Sequence, residues 1–271
     1  MRDRKRPLVE ASLVALLFVS VGIGGVFYAA RTWMPELASR HGAGIDAMLA
    51  YLLVTGGALF LAGHITLGVF VWRAARQQRV THRIASPRAE WVLSGVLGLL
   101  VVFVGEAGVL AIGMPVWSEY FGARPPADAV FIELTGQQFT WNVRYPGRDG
   151  MFGRTDPRLI DDVSNPLGID RNDPAAADDV ALLNEVAVQV NRPVRVRLRS
   201  KDVIHSFFLP HLRVKQDAVP GMTLEIVFVP TRVGTFEIAC TQLCGLGHYR
   251  MQGFLHVLSE EDFRSWLRER S

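Results

Sequence analysis

The chain has 271 residues, of which 49% are hydrophobic, with two cysteines and a formal net charge of +3. So small a charge excludes an electrostatic footprint for nucleic acid. The long apolar runs crowd before residue 120, which excludes a single water-soluble globule as well.

The first run, Leu8–Ala30, follows a basic start of Arg2, Arg4, Lys5 and Arg6. It is long enough to cross a hydrocarbon core of roughly 30 Å, which needs about 20 residues. Ala29-Ala30 also suits a signal-peptide cleavage site, but the run exceeds the roughly 7–15 residues of a signal h-region, so a retained helix is favoured. Two further crossings follow, Ala47–Trp72 and Trp91–Ile112. Between them Arg73, Arg76, Arg79, Arg83 and Arg88 stand without an acid, which makes that loop and the N-terminus cytoplasmic. The mixed-charge segment Arg31–Ile45 then falls on the opposite side, as does everything after about residue 115. The second and third crossings form an antiparallel hairpin. Gly56, Gly57, Gly63 and Gly68, with Gly95, Gly98, Gly105 and Gly108, are expected to allow close helix approach. His64 and Glu106 lie inside the apolar runs, where an ionisable group is a functional candidate or is packed against a partner helix.

After the linker ARPPAD (123–128) the pattern changes to period two, with strand-like runs at 129–136, 139–145, 185–190, 193–200, 203–209, 223–229, 235–239 and 253–259. Short strands with Gly and Pro between them and no long helix predict a β-sandwich or barrel. The division expected is 1–30 for an extra helix or signal-anchor, 46–118 for the hairpin and 127–271 for the β domain. From Arg154 to Glu185 the chain reads as an acidic loop, either simply solvated or a surface that steers a basic partner. Ser259 and Asp262 resemble a capping box opening a terminal amphipathic helix, EEDFRSWLRER.

Both cysteines fall in CTQLCGLGHYRM, 240–251, followed by a histidine and a methionine. A disulfide would close a very small loop, give little stabilisation, and leave His248 and Met251 unexplained. Zinc would accept Cys, Cys and His, but a thioether favours copper. A mononuclear blue-copper site would use Cys244, His248 and Met251, with His205 of DVIHSF as the second imidazole, and leave Cys240 idle. Two thiolates four residues apart can instead bridge two copper ions, and this arrangement uses the whole cluster.

The twelve residues resemble the Cys-x-x-x-Cys-Gly-x-x-His-x-x-Met signature of the binuclear copper A centre. KDVIHSFFLP (201–210), KQDAVPG (215–221) and GQQFTWNVRYPG (136–147) are similar to segments of cytochrome c oxidase subunit II, and the likeness covers roughly residues 40–265. The resemblance implies transmembrane helices, a hairpin plus one extra, followed by an all-β cupredoxin-like Greek-key sandwich. It implies two copper ions, with Cys240 and Cys244 as bridging thiolates, His205 and His248 as one ligand each, and Met251 and the Gln242 carbonyl as weak ligands. Asp202 is a candidate orienter of His205.

The same likeness implies a subunit of a haem–copper oxidase, in a bacterial inner membrane with several spans, its C-terminal domain on the periplasmic face. Electrons would come from a c-type cytochrome and pass to haem held by the catalytic subunit I, with subunit III a further partner. Oxygen would be reduced to water there and protons pumped. The copper-bearing subunit of a nitric oxide reductase is the alternative. Three positions depart from the family. Gln242 replaces a glutamate that helps hold magnesium, so no magnesium is expected. Phe139 stands where many members have the first tryptophan of Trp-x-Trp, the proposed point of electron arrival, while Trp141 is kept. Glu90 adjoins Trp91, where members usually separate the pair by two residues at a proton-channel mouth. His41, His82, His211 and His256 are read as ordinary polar or packing residues.

Overall fold

The computed structural model describes residues 6–32, 34–77, 86–122 and 126–270. Arg2, Arg4, Lys5, Arg79, Arg83, His82 and the 123–125 part of the linker lie outside these. Two units are described in turn: residues 1–34 with 46–115, and residues 35–45 with 116–271.

In the first unit the apolar runs form helices α1 (Arg6–Thr32), α2 (Gly42–Gln77) and α3 (Pro87–Leu100), the last continued through a π-helical turn, Val101–Glu106, into α4 (Ala107–Trp117). Ser86 caps α3 by accepting from the Ala89 N–H at 3.3 Å, and proline at the first turn needs no donor there. Among the described residues three helical stretches are long and apolar enough to cross a membrane: Val9–Thr32, Gly42–Arg76 and Pro87–Gly122. Each runs past the apolar stretch read from sequence, because helical geometry carries on through the flanking polar residues.

The glycines do not all serve the hairpin. The position a Cβ would take on Gly68 lies 3.3 Å from Ala15 of α1, and that on Gly57 lies 3.5 Å from Val26 of α1. Gly56, Gly63, Gly95 and Gly98 meet nothing within 4 Å among the described residues. Of the eight glycines read from the sequence only Gly108 meets the other arm, under the Tyr51 ring of α2; further along, a Cβ on Gly113 would lie 3.0 Å from Met48 of α2. His64 is engaged locally: its Nδ1 lies 2.8 Å from the Phe60 carbonyl, and the Phe60 and Phe18 rings flank it at 4.0 and 5.9 Å.

In the second unit ten strands build two sheets among the described residues. The first has the order β3-β2-β1-β5-β8, from β1 (Val130–Gln137), β2 (Thr140–Tyr145), β3 (Val180–Leu183), β5 (Val194–Ser200) and β8 (Leu224–Phe228). The second has the order β4-β10-β9-β6-β7, from β4 (Glu185–Gln189), β6 (His205–Leu209), β7 (Val214–Ala218), β9 (Gly234–Cys240) and β10 (Gln252–Leu258). Alternation does its usual work: β1 and β5 bury every second residue, and Ile132, Leu134, Val196, Leu198, Phe207, Ile238 and Leu255 join one core. The chain changes sheets repeatedly, which closes a sandwich around that core.

Two strands escape the sequence reading. β3 falls in the stretch expected to be loop, and its four residues pair only with β2 at a sheet edge. β7, VKQDA, is an edge strand whose Lys215, Gln216 and Asp217 conceal its buried ends. The terminal helix α5 (Glu260–Arg268) forms as expected, with Ser259 Oγ accepting from the Asp262 N–H at 3.1 Å.

The acidic stretch is not a bare solvated loop. Asp156, Asp161 and Asp173 accept from backbone N–H groups two residues ahead, and Arg154 binds Asp170 and Asp173 at 3.3 and 3.2 Å. Much of the acid is therefore spent inside the loop. Residues 35–45 are likewise bound to the sandwich. Ala38 N–H donates to the His211 carbonyl at 2.8 Å, Arg40 N–H to Val229 at 3.0 Å, and Thr231 N–H to Ala38 at 2.9 Å. His41 is buried there against Tyr120, ring centres 5.1 Å apart, and desolvation lowers its pKa.

Candidate metal centre

β6 opens on His205 and β9 ends on Cys240. Between β9 and β10 the chain loops out and returns, held by Cys240 N–H to the Met251 carbonyl at 3.2 Å and Thr241 N–H to the Ser206 carbonyl at 3.1 Å. A short 3₁₀ turn, His248–Arg250, folds the histidine back over the loop. Gly245 makes the bend at φ +134°, a conformation a side chain resists.

These turns bring six distant or loop-borne groups together. Cys240 Sγ and Cys244 Sγ are 4.0 Å apart, Cys244 Sγ is 3.6 Å from His248 Nδ1, and Met251 Sδ is 3.8 Å from Cys244 Sγ. The Gln242 carbonyl oxygen lies 3.3 Å from Cys240 Sγ, while its side chain is exposed. Ligand atoms of His205, Cys240 and Cys244 all lie within 4.8 Å of one another, and all three residues are buried.

Asp202 sets the histidine. Its Oδ1 is 2.8 Å from His205 Nε2, so that nitrogen carries the proton and Nδ1 keeps its lone pair. His205 Nδ1 is buried and has no hydrogen-bond partner among the described residues. Asp202 also accepts the Gln138 and Val203 N–H groups, each at 2.7 Å. Burial would raise its pKa, and these bonds with His205 bring it below the usual carboxylate value. Burial would likewise raise Cys240, but His205 and the Ser206 backbone lower it overall. Cys244 is raised, by burial first and then by the charge on Cys240. Burial would lower His205, but the nearby Cys240 sulfur and the Asp202 carboxylate raise it overall. One sulfur is thus readily ionised, and the second gives up its proton when a cation offsets the charge.

The donor set fits copper. It comprises three soft sulfurs, two imidazoles and a carbonyl, with an orphaned buried nitrogen pointing to a missing electrophile. Trp141 is fully buried behind the site, its ring 6.0 Å from His205, so it is a wall and not a surface residue. Phe139 lies on the loop backbone: a Cβ on Gly247 would come 2.4 Å from its ring.

Some contributors carried no sequence signal. Gln138, a bystander in GQQF, donates from Nε2 to the Cys244 carbonyl at 2.5 Å. At Gly136 a Cβ would fall 2.8 Å from the His205 ring. Leu243, Leu246 and Tyr249 ring the loop as exposed apolar groups, Leu246 at 98% exposure. In Asp202→Ala, copper affinity should fall about 10- to 100-fold, because His205 loses its tautomer and orientation. Competition with a chelator measures it, and wild-type affinity would refute the role.

Fold and donor set define a cupredoxin-like domain with a candidate metal site, in a chain that carries membrane helices. A family model described as the periplasmic domain of cytochrome c oxidase subunit II matches residues 130–257. The alternative cytochrome c oxidase subunit 2 of Bradyrhizobium diazoefficiens is 35% identical over 261 residues, 94% of this chain and 91% of that protein. The cytochrome c oxidase subunit 2 of Cereibacter sphaeroides is 35% identical over 157 residues, 54% of this chain and 50% of that one. The solved periplasmic domain of subunit II of cytochrome oxidase of Bradyrhizobium japonicum is 32% identical, covers 54% of this chain and 96% of that one, and gives a TM-score of 0.40. This chain belongs to the cytochrome c oxidase subunit II family and is a subunit of an oxidoreductase complex.

Proposed function

We propose that the chain binds two copper ions between Cys240 and Cys244 and relays single electrons through them. His205 and His248 would hold one copper each, with Met251 and the Gln242 carbonyl as weak ligands. The donor would be a c-type cytochrome at the outer membrane face. The acceptor would be haem in subunit I, where oxygen is reduced to water with proton pumping, and subunit III would complete the assembly.

The observation that carries this reading is the convergence of both cysteines with His205, His248 and Met251, His205 Nδ1 being buried and unpartnered. A bound copper pair supplies one-electron redox chemistry. The protein's own part is rigidity. Asp202 fixes the His205 ring, Gln138 ties the Cys244 carbonyl, and Phe139 covers the loop backbone against water. Ligands held by strands on both sides move little when charge changes, which keeps the barrier to electron transfer low.

Metal analysis of the full chain in detergent should give two copper atoms per chain, with a seven-line hyperfine pattern in the electron paramagnetic resonance spectrum. A four-line pattern with one copper would replace the pair by a mononuclear site.

A further inference from the structure

A cavity of about 430 Å³ opens in the β domain, away from the metal loop. Gly136 and Trp141 approach His205 from one end of β1 and β2, whereas Val130 and Tyr145, at the other ends, line this cavity. Its size lies within the roughly 300–1,000 Å³ that takes a small organic molecule. The apolar wall is fixed in place. The Tyr145 hydroxyl accepts from the Ala187 N–H at 2.8 Å and donates to the Ala187 carbonyl at 2.9 Å. Phe263 of α5 is buried beside it, and Trp266 packs on the Tyr145 ring at 5.4 Å. Val130 N–H donates to the Pro193 carbonyl at 2.8 Å, which ties the start of β1 to the turn that carries Arg192. Phe131 completes the wall, with the Arg195 guanidinium 4.5 Å from its ring centre.

The charge on this wall is of one sign. Arg192 and Arg195 line the cavity, and among the described residues no carboxylate does. Arg195 is committed to Glu225 at 2.7 Å. Arg192 is held by neutral acceptors, its Nε donating to the Asp128 carbonyl at 2.7 Å and its Nη1 to Gln189 Oε1 at 3.4 Å. On its far side Glu260 pairs with Arg264 instead. Arg192 is thus a half-buried, positioned guanidinium with no carboxylate partner among the described residues, set beside aromatic rings. Such a fork recognises a carboxylate through paired, charge-assisted hydrogen bonds. A bare inorganic anion would leave the rings wet, and a neutral hydrocarbon would leave the charge uncompensated.

We propose that this cavity binds a small aromatic monocarboxylate. Its ring lies against Phe131, Tyr145 and Phe263, and its carboxylate meets the Arg192 guanidinium. The site is separate from the copper ligands and does not depend on how many metal ions they hold.

The test uses the full chain in phosphatidylcholine nanodiscs, with empty discs as the blank, and titrates 6-fluoro-2-naphthoate by fluorine NMR line broadening. The wild-type chain should bind the acid. The neutral 6-fluoro-2-naphthamide should bind about tenfold or more weakly, as expected when a charge-assisted hydrogen bond is lost. Arg192→Gln should weaken binding of the acid by a similar factor. Acid and amide bound equally, no binding above the empty discs, or full affinity in Arg192→Gln overturns the proposal. If Arg192→Gln melts below wild type, Ala127→Glu decides. Ala127 is exposed and lines the cavity, so a carboxylate there repels the anion without disturbing the core. Unchanged affinity in that variant overturns the proposal, and a loss of about tenfold supports it.

Discussion

Replacing Cys240 by serine will abolish the seven-line copper signal and leave no more than one copper per chain. The two sulfurs stand 4.0 Å apart, close enough to share metal ions without moving the strands that carry them. Serine keeps the size and the backbone contacts of Cys240 to Met251 but removes the soft donor whose ionisation begins the site. Cys244, His248 and Met251 still lie within reach of one another, so a mononuclear, four-line site is the expected residue of the change. A seven-line spectrum in Cys240→Ser would mean that some other group bridges, and the two-copper arrangement would be wrong. The fold should survive, since Cys240 is one edge of a large core.

The legibility of this chain varies with how local its signals are. The metal loop was readable because four donors fall within twelve residues, and turn geometry keeps such neighbours together. His205 was readable as the missing imidazole on a distant strand, and through its resemblance to a known strand, but nothing in spacing says that β6 lies beside β9; register does, pairing Phe207 with Cys240. Asp202 was suggested by sequence proximity, and the contact at 2.8 Å fits. Gln138 and Gly136 were not legible, because their work is done across the sandwich against Cys244 and His205. Strands β3 and β7 stayed hidden for a related reason. At a sheet edge only one neighbour has to be satisfied, so polar residues are tolerated and alternation fades. The membrane glycines show the opposite failure. Their composition promises packing, yet Gly95 and Gly98 meet nothing among the described residues.

The largest stability effect is expected at Arg144, far from any metal ligand in sequence. It sits on β2 with 1% exposure, and its guanidinium binds Asp179, the Gly153 carbonyl at 2.6 Å and Glu133 at 3.5 Å. It thereby fastens both ends of the acidic loop to the sheet. In Arg144→Met the Asp179 side chain, itself 1% exposed, would remain buried beside the Gly153 N–H with no cation. Removing one partner of a buried pair typically costs about 3–5 kcal/mol, a large share of the roughly 5–15 kcal/mol that holds a domain folded. Thermal unfolding of the detergent-solubilised chain, followed through the copper absorption, should show the loss. Arg144→Met combined with Asp179→Leu should recover much of it, because no uncompensated charge is then left inside. Acid should help the single variant. Burial holds the Asp179 carboxyl above its ordinary value even beside Arg144. Its folded-state pKa thus exceeds the unfolded one, so the folded state binds the proton more tightly. Stability is gained as pH falls through the folded pKa and is fully regained below the unfolded one. Without Arg144 the folded pKa rises further and the gain is larger. A single variant that melts like wild type, or that weakens further on mild acidification, would show that Asp179 is not the charge Arg144 compensates.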